Sequence, residues 1–139
     1  MKSIIKLNCV SAMYGLLFFM EIQLIGNVSR LSRILGWDLN KVEILVLIIN
    51  IVLFLLFTYL CVFFTNKYMK WSILRYFSTI LWFPYFAIST YVFTTFWPIK
   101  DPAEVVTPVY GLLLIGSMII YPIYIILING FGVENESKT

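Results

Sequence analysis

The chain has 139 residues, 61% of them hydrophobic and only 12% charged, with a net charge of +3. Soluble domains carry roughly 25% charged residues, so this composition excludes a water-covered surface and points to lipid. Histidine and CxxC are both absent and the two cysteines, Cys9 and Cys61, stand far apart, which excludes zinc-finger spacing, CxxCH haem attachment and every histidine-based triad; the scattered charge carries no nucleic-acid footprint.

The first predicted span covers residues 4–26. Lys2 and Lys6 precede it as they would precede a signal peptide. No small-x-small cleavage site follows, and Glu21 and Gln23 sit in its far end, so it reads as a retained helix. In Asn27–Trp37, Val28, Leu31, Ile34 and Leu35 share one face, with Arg30 and Arg33 off it. That pattern fits a short helix lying in the membrane interface. A first helix continuing to Leu35 fits it equally.

The second span, 42–64, reads VEILVLIINIVLFLLFTYLCVFF and has a single charge, Glu43, at its start. An apolar run of about 18 or more residues is long enough to cross a bilayer. The chain's organisation is expected to hang on this run. A short basic loop leads to the third span, 73–97, which is crowded with aromatic rings and contains Pro84. Proline cannot bond the carbonyl of Ile80, so a bend is expected there, with Ser78, Thr79 or nearby rings covering the freed group. The loop Pro98–Pro108 has three prolines and two acids. The fourth span, 109–128, contains Pro122, and the polar tail from Asn129 reads as frayed.

These elements predict an all-α membrane protein, one polytopic domain of four transmembrane helices in an antiparallel bundle. Lys2, Lys6, Lys67, Lys70, Arg75 and Lys138 fall on one side, and Arg30, Arg33, Lys41 and Lys100 on the other. Six against four favours both termini in the cytoplasm. Abundant Ile, Asn, Lys, Phe and Tyr suit an AT-rich bacterial genome and a cell-membrane location.

Glu21 is the most informative residue, because an ionisable group inside a span is costly. Tyr14, seven residues earlier, lies about 20° away around the helix. Glu21 reads either as a proton- or cation-binding carboxylate or, the favoured expectation, as an interfacial glutamate hydrated or paired with Arg30, Arg33 or Lys41. Asn50 shares a stripe with Glu43, Phe57 and Cys61 and suits an interhelical hydrogen bond. Tyr110, Ser117, Tyr121 and Tyr124 share one face of the fourth span, and either line a polar cavity or pack inward with their hydroxyls bonded. Cys9 and Cys61 fall at similar depth, although thiols in apolar helices are usually packed and reduced.

No nucleophile–base pair, metal cluster, phosphate loop or carboxylate pair is evident. The expectation is a non-enzyme without cofactor or metal: a subunit, regulator or immunity-type partner of another membrane system. Its partners would be the lipid bilayer and a membrane protein or a second copy of itself. The alternative is a small transporter or pore using Glu21, Asn50 and the tyrosine face.

Overall fold

The structure, a computed structural model, describes residues 1–69 and 73–134. It contains α1 (Lys2–Gly26), α2 (Val28–Leu35), α3 (Leu39–Tyr68), α4 (Leu74–Phe96) and α5 (Pro108–Glu134), with a 3₁₀ turn at Pro102–Glu104. No strand occurs among the described residues. Three helices are long and apolar enough to cross a membrane: α1, α3 and the segment Pro102–Phe131 that holds most of α5. At the predicted third span, α4 is helical over 23 residues, but its Tyr, Trp, Ser and Thr side chains dilute its hydropathy and it is not among the three.

Asn27 separates α1 from α2. Its side-chain Nδ2 donates to the Gln23 carbonyl at 2.7 Å, beside its own backbone N–H at 3.0 Å. An asparagine that competes for the helical ladder in this way breaks it. Gly36, with φ +65°, closes α2 in the left-handed conformation, and the Trp37 N–H bonds back to the Ser32 carbonyl, the usual glycine stop. The expectation of a separate short helix therefore holds against that of a first helix continuing to Leu35. Ile34 and Leu35 face outward, whereas Arg30 turns in and is buried.

The most polar of the long helices, not the most apolar, is the central one. In α1, 39% of the membrane-length window is buried, against 11% in α3. The buried positions of α1, Leu7, Val10, Ser11, Tyr14, Leu17, Phe18 and Ile22, recur at three- and four-residue steps, as one helix face requires. This helix lies between α3 and α4, and α5 closes the ring on the far side.

Contacts fix the directions. Asn8 accepts from the Tyr85 hydroxyl, Phe18 packs on Trp82 and Phe86, and Phe19 packs on Phe93, so α1 and α4 run parallel. Tyr110 reaches Ile22 and Tyr121 reaches Tyr14, so α1 and α5 are antiparallel. Successive long helices alternate in direction, as an antiparallel bundle predicts. The departure is that α1 and α4 are parallel neighbours, because α1 stands between α3 and α4.

What admits α4 so close to α1 is Gly15. A Cβ there would lie 2.7 Å from the Trp82 carbonyl oxygen and from Tyr85 Cβ, and 3.0 Å from the Phe86 nitrogen. Two of those three atoms are backbone. Around this crossing Phe18 meets Trp82, Phe86 and Tyr121 at ring-centroid distances of 5.1, 4.9 and 4.6 Å, and aromatic pairs of this kind add about 0.5–1.5 kcal/mol each beyond area burial.

Two local expectations need correction. The tail is not frayed from Asn129: α5 continues to Glu134, and Asn129 is fully buried. Its Nδ2 donates to the Arg75 carbonyl at 2.9 Å and to Ser78 Oγ at 3.2 Å, so a polar residue here fastens the helix and does not end it. The rest of the tail, 135–139, lies outside the described residues. In α4, the Ser78 hydroxyl bonds the Arg75 carbonyl at 2.6 Å, so of the groups expected to cover the Ile80 carbonyl Ser78 is removed; the helix runs on past Pro84.

Gly15→Ala is expected to cost about 1–3 kcal/mol, as overpacking does, while Gly111→Ala, with open space around it, leaves stability unchanged or slightly raised. Thermal unfolding of the purified variants in one detergent checks both; equal melting temperatures for Gly15→Ala and the parent would refute the close crossing.

Candidate functional site

Polar side chains gather at three levels of the bundle. At the end carrying α2, Arg30 extends under the loop that joins α4 to α5. Its Nε lies 3.3 Å from Glu104 Oε2, its Nη1 donates to the Trp97 carbonyl at 3.2 Å, and its guanidinium stands 5.8 Å from the Trp97 ring centre. Arg33 pairs with both Asp101 and Glu104. The other oxygen of Asp101 accepts the Ala103 N–H at 2.9 Å and so caps the 3₁₀ turn, where Pro102 is pre-set for the first position. Lys41 pairs with Asp38 at 3.6 Å, fully in the open.

This clasp overturns the expected pairing of Glu21. Arg30 and Arg33 hold Glu104 and Asp101 between them and Lys41 holds Asp38, so among the described residues Glu21 has no ion pair; the hydrated alternative is untouched by this. Glu21 lies five residues before the end of α1, half-buried, with Oε1 sealed and without a hydrogen-bond partner. Its backbone carbonyl is 3.5 Å from Asn50 Nδ2 on α3. The expected interhelical role of Asn50 therefore holds for its donor end, while its Oδ1 is buried and unpartnered.

At mid-bundle the tyrosines of α5 turn inward. Tyr121 donates to the Tyr14 carbonyl at 2.6 Å, and Tyr110 to the Ile22 carbonyl at 3.1 Å. The Tyr110 ring lies over Gly26, where a Cβ would come within 2.8 Å of it. Tyr124 shares a 2.6 Å hydrogen bond with Thr58 of α3. Tyr14 is fully buried, edge-on to Tyr124 with centroids 6.5 Å apart, with its hydroxyl close to Thr65. Ser117 does not join them: its hydroxyl bonds its own helix at the Leu113 carbonyl. Of the six residues singled out in the sequence, Tyr14, Glu21, Asn50, Tyr110 and Tyr121 are thus brought to the contacts of α1 with α3 and α5.

A third polar group, at the start of α4, has no signal in the sequence. Arg75 is buried with its Nη2 on Asn66 Oδ1 at 3.3 Å, and it joins Ser78 and Asn129 through its carbonyl. It reads as a loop cation from hydropathy alone, because a single arginine beside a basic loop looks solvated. Cys9 is exposed and Cys61 buried, both as free thiols, so the two are not bridged. No cluster of three or more His, Cys, Asp or Glu suited to a metal occurs among the described residues.

Two openings flank these groups. An apolar groove of about 430 Å³ lies over α1 between Ile49 and Leu53 of α3 and Phe93 and Trp97 of α4. A cleft of about 510 Å³ opens between the start of α2, α3 and the start of α5, and Glu43, Asn50, Thr107 and Tyr110 are on its lining.

The fold defines an all-helical protein with three helices apolar enough to enter a membrane. No protein-family model, curated protein or solved structure matches the chain.

Arg30→Ala is expected to destabilise by about 1–3 kcal/mol, since it removes the buried partner of Glu104 and the donor to the Trp97 carbonyl and leaves Glu104 to Arg33 alone. Arg33, half-exposed, should contribute about 0–1 kcal/mol. Chemical unfolding of the two variants in the same lipid environment tests the ranking; an Arg33→Ala loss equal to or above that of Arg30→Ala would contradict it.

Proposed function

We propose that the chain is a four-span protein of a bacterial cell membrane, with both termini cytoplasmic, that acts by association: as a subunit, regulator or immunity-type partner of another membrane system, or of a second copy of itself. In this reading α4, the predicted third span, crosses the membrane as well and brings the number of spans to four. Its rings suit an environment shared between lipid, interface and the flank of α1, and its lower hydropathy is tolerable because Arg75, Ser78, Trp82 and Phe86 face protein.

The observation that carries the reading is how the tyrosine face of α5 is used. The Tyr110, Tyr121 and Tyr124 hydroxyls are bonded to two carbonyls of α1 and to Thr58. Groups that would line a path through the bundle hold it shut instead. Meanwhile α3 turns Leu47, Ile48, Ile51, Leu55 and Tyr59 outward, a long apolar face for lipid or for another helix. Association between helices in lipid rests on such packing and on a few interhelical hydrogen bonds.

Two measurements test it. With Cys9 and Cys61 first replaced by serine, single cysteines at Ser72 and Ser137 are expected to label only in permeabilised cells, and one at Lys100 in intact cells; labelling of Ser72 from outside reverses the orientation. A photo-crosslinker at Leu55 is expected to give a discrete protein adduct in intact cells, while one at the buried Val46 gives none. Only lipid adducts at Leu55 and at the neighbouring outward positions would remove the partner reading.

A further inference from the structure

Two buried oxygen acceptors belong to one contact between α1 and α3, and among the described residues nothing donates to either. Glu21 Oε1 and Asn50 Oδ1 are both sealed from solvent and without a hydrogen-bond partner. The amide's donor end is engaged by the Glu21 carbonyl at 3.5 Å, which leaves only its acceptor end for anything else. Buried polar groups are almost always satisfied, so a pair of unsatisfied acceptors in one contact calls for a specific explanation.

The surrounding side chains do not supply the missing positive charge. On α5, Tyr121 and Tyr124 are near enough to interact electrostatically with Glu21, and their hydroxyls are bonded elsewhere, to Tyr14 and Thr58. On α3 the nearest other ionisable group along the helix is Glu43, of the same sign. On α2, Arg30 and Arg33 are held by Asp101 and Glu104. On α1 itself, Tyr14 is neutral.

The contact borders a cleft on its Asn50 side, while Glu21 is not on that lining. Asn50 lies on the lining of the 510 Å³ cleft, together with Glu43 and Tyr110. Glu104 is on the same lining but is neutralised by its two arginines. Glu43 has no ion pair among the described residues, and a cleft carrying one uncompensated negative charge concentrates cations.

We propose that Glu21 and Asn50 form a binding site for one small monovalent metal cation, of the sodium or potassium class, admitted through this cleft. The Glu21 carboxylate, the Asn50 amide oxygen and water from the cleft supply the hard oxygen donors such an ion takes. One carboxylate balances one charge; a divalent ion would leave a net positive charge inside a span, where charge is expensive. The proposal is independent of any partner, since a subunit of a larger assembly and a solitary bundle would bind the ion alike.

The test uses the full chain in lipid nanodiscs. Melting temperature is followed in NaCl, KCl and N-methylglucamine chloride at equal ionic strength and fixed pH. At least one metal salt is expected to raise it saturably over the organic cation. Glu21→Gln should abolish that difference, Asn50→Leu should weaken the apparent affinity about tenfold, and Glu43→Gln should keep the effect at higher concentration. Sodium-23 line broadening, with potassium as competitor, reads binding on the parent protein directly, so the proposal does not depend on a variant that folds poorly. Identical melting in all three salts together with no broadening overturns the site. A cation effect that survives in folded Glu21→Gln overturns it too, as does stabilisation by acid alone with none from either metal.

Discussion

The backbones of α1 and α4 touch at Gly15, and the arrangement of the other helices follows from that approach. Inside lipid, apolar side chains gain little by leaving acyl chains for one another, so helix association rests on close packing and hydrogen bonds. A glycine facing the Trp82 carbonyl and the Phe86 nitrogen provides the closest packing in the bundle. It brings two parallel helices together and pushes α3, the next helix in the chain after α2, to the other flank of α1. Phe18, about one helical turn beyond Gly15, then fits among Trp82, Phe86 and Tyr121. The most apolar helix is left at the edge, where lipid suits it.

Polar groups fasten what packing aligns. At one end Arg30 and Arg33 tie α2 to the loop between α4 and α5; at the other Asn129 ties α5 to the first turn of α4. Buried ion pairs add little net stability over well-packed apolar groups, because both charges are desolvated. Their effect here is geometric. A short amphipathic helix could lie anywhere on a membrane surface, and the Arg30–Glu104 pair with the Trp97 contacts sets α2 at one place, with Ile34 and Leu35 turned out.

The extent of α1 and α3 and most of α5 could be read from the sequence because unbroken apolar runs of that length have few alternatives. The inward turn of Tyr110, Tyr121 and Tyr124 was among the two readings of their spacing. The neighbours of each helix were not legible. Gly15 is a lone glycine without a GxxxG partner, so nothing in the pattern marks it as a crossing point. The partners of Arg30 and Arg33 are some 70 residues away in the chain, and proximity in sequence pointed instead to Glu21. Arg75 and Asn129 misled hydropathy in the same way: each looked like the edge of a span because its partners belong to a different helix.

Among the described residues neither Glu21 nor Arg75 has an ion pair, and they do not compensate one another. Tyr14, which interacts with Arg75, precedes Glu21 by seven residues, or about 10 Å of helix. Two unit charges at that distance attract by about 1–2 kcal/mol at an effective dielectric near 20. Removing either group from water costs several kcal/mol, so attraction across the bundle falls short for both. Each must be balanced where it stands. Arg75 has oxygen nearby, in Asn66 Oδ1 and the hydroxyl of Tyr14. Glu21 has only further oxygen: the Asn50 amide and hydroxyls whose protons are already committed to other acceptors. The same hydrogen bonds that hold the tyrosines of α5 to α1 and α3 therefore leave Glu21 Oε1 without a donor among the described residues.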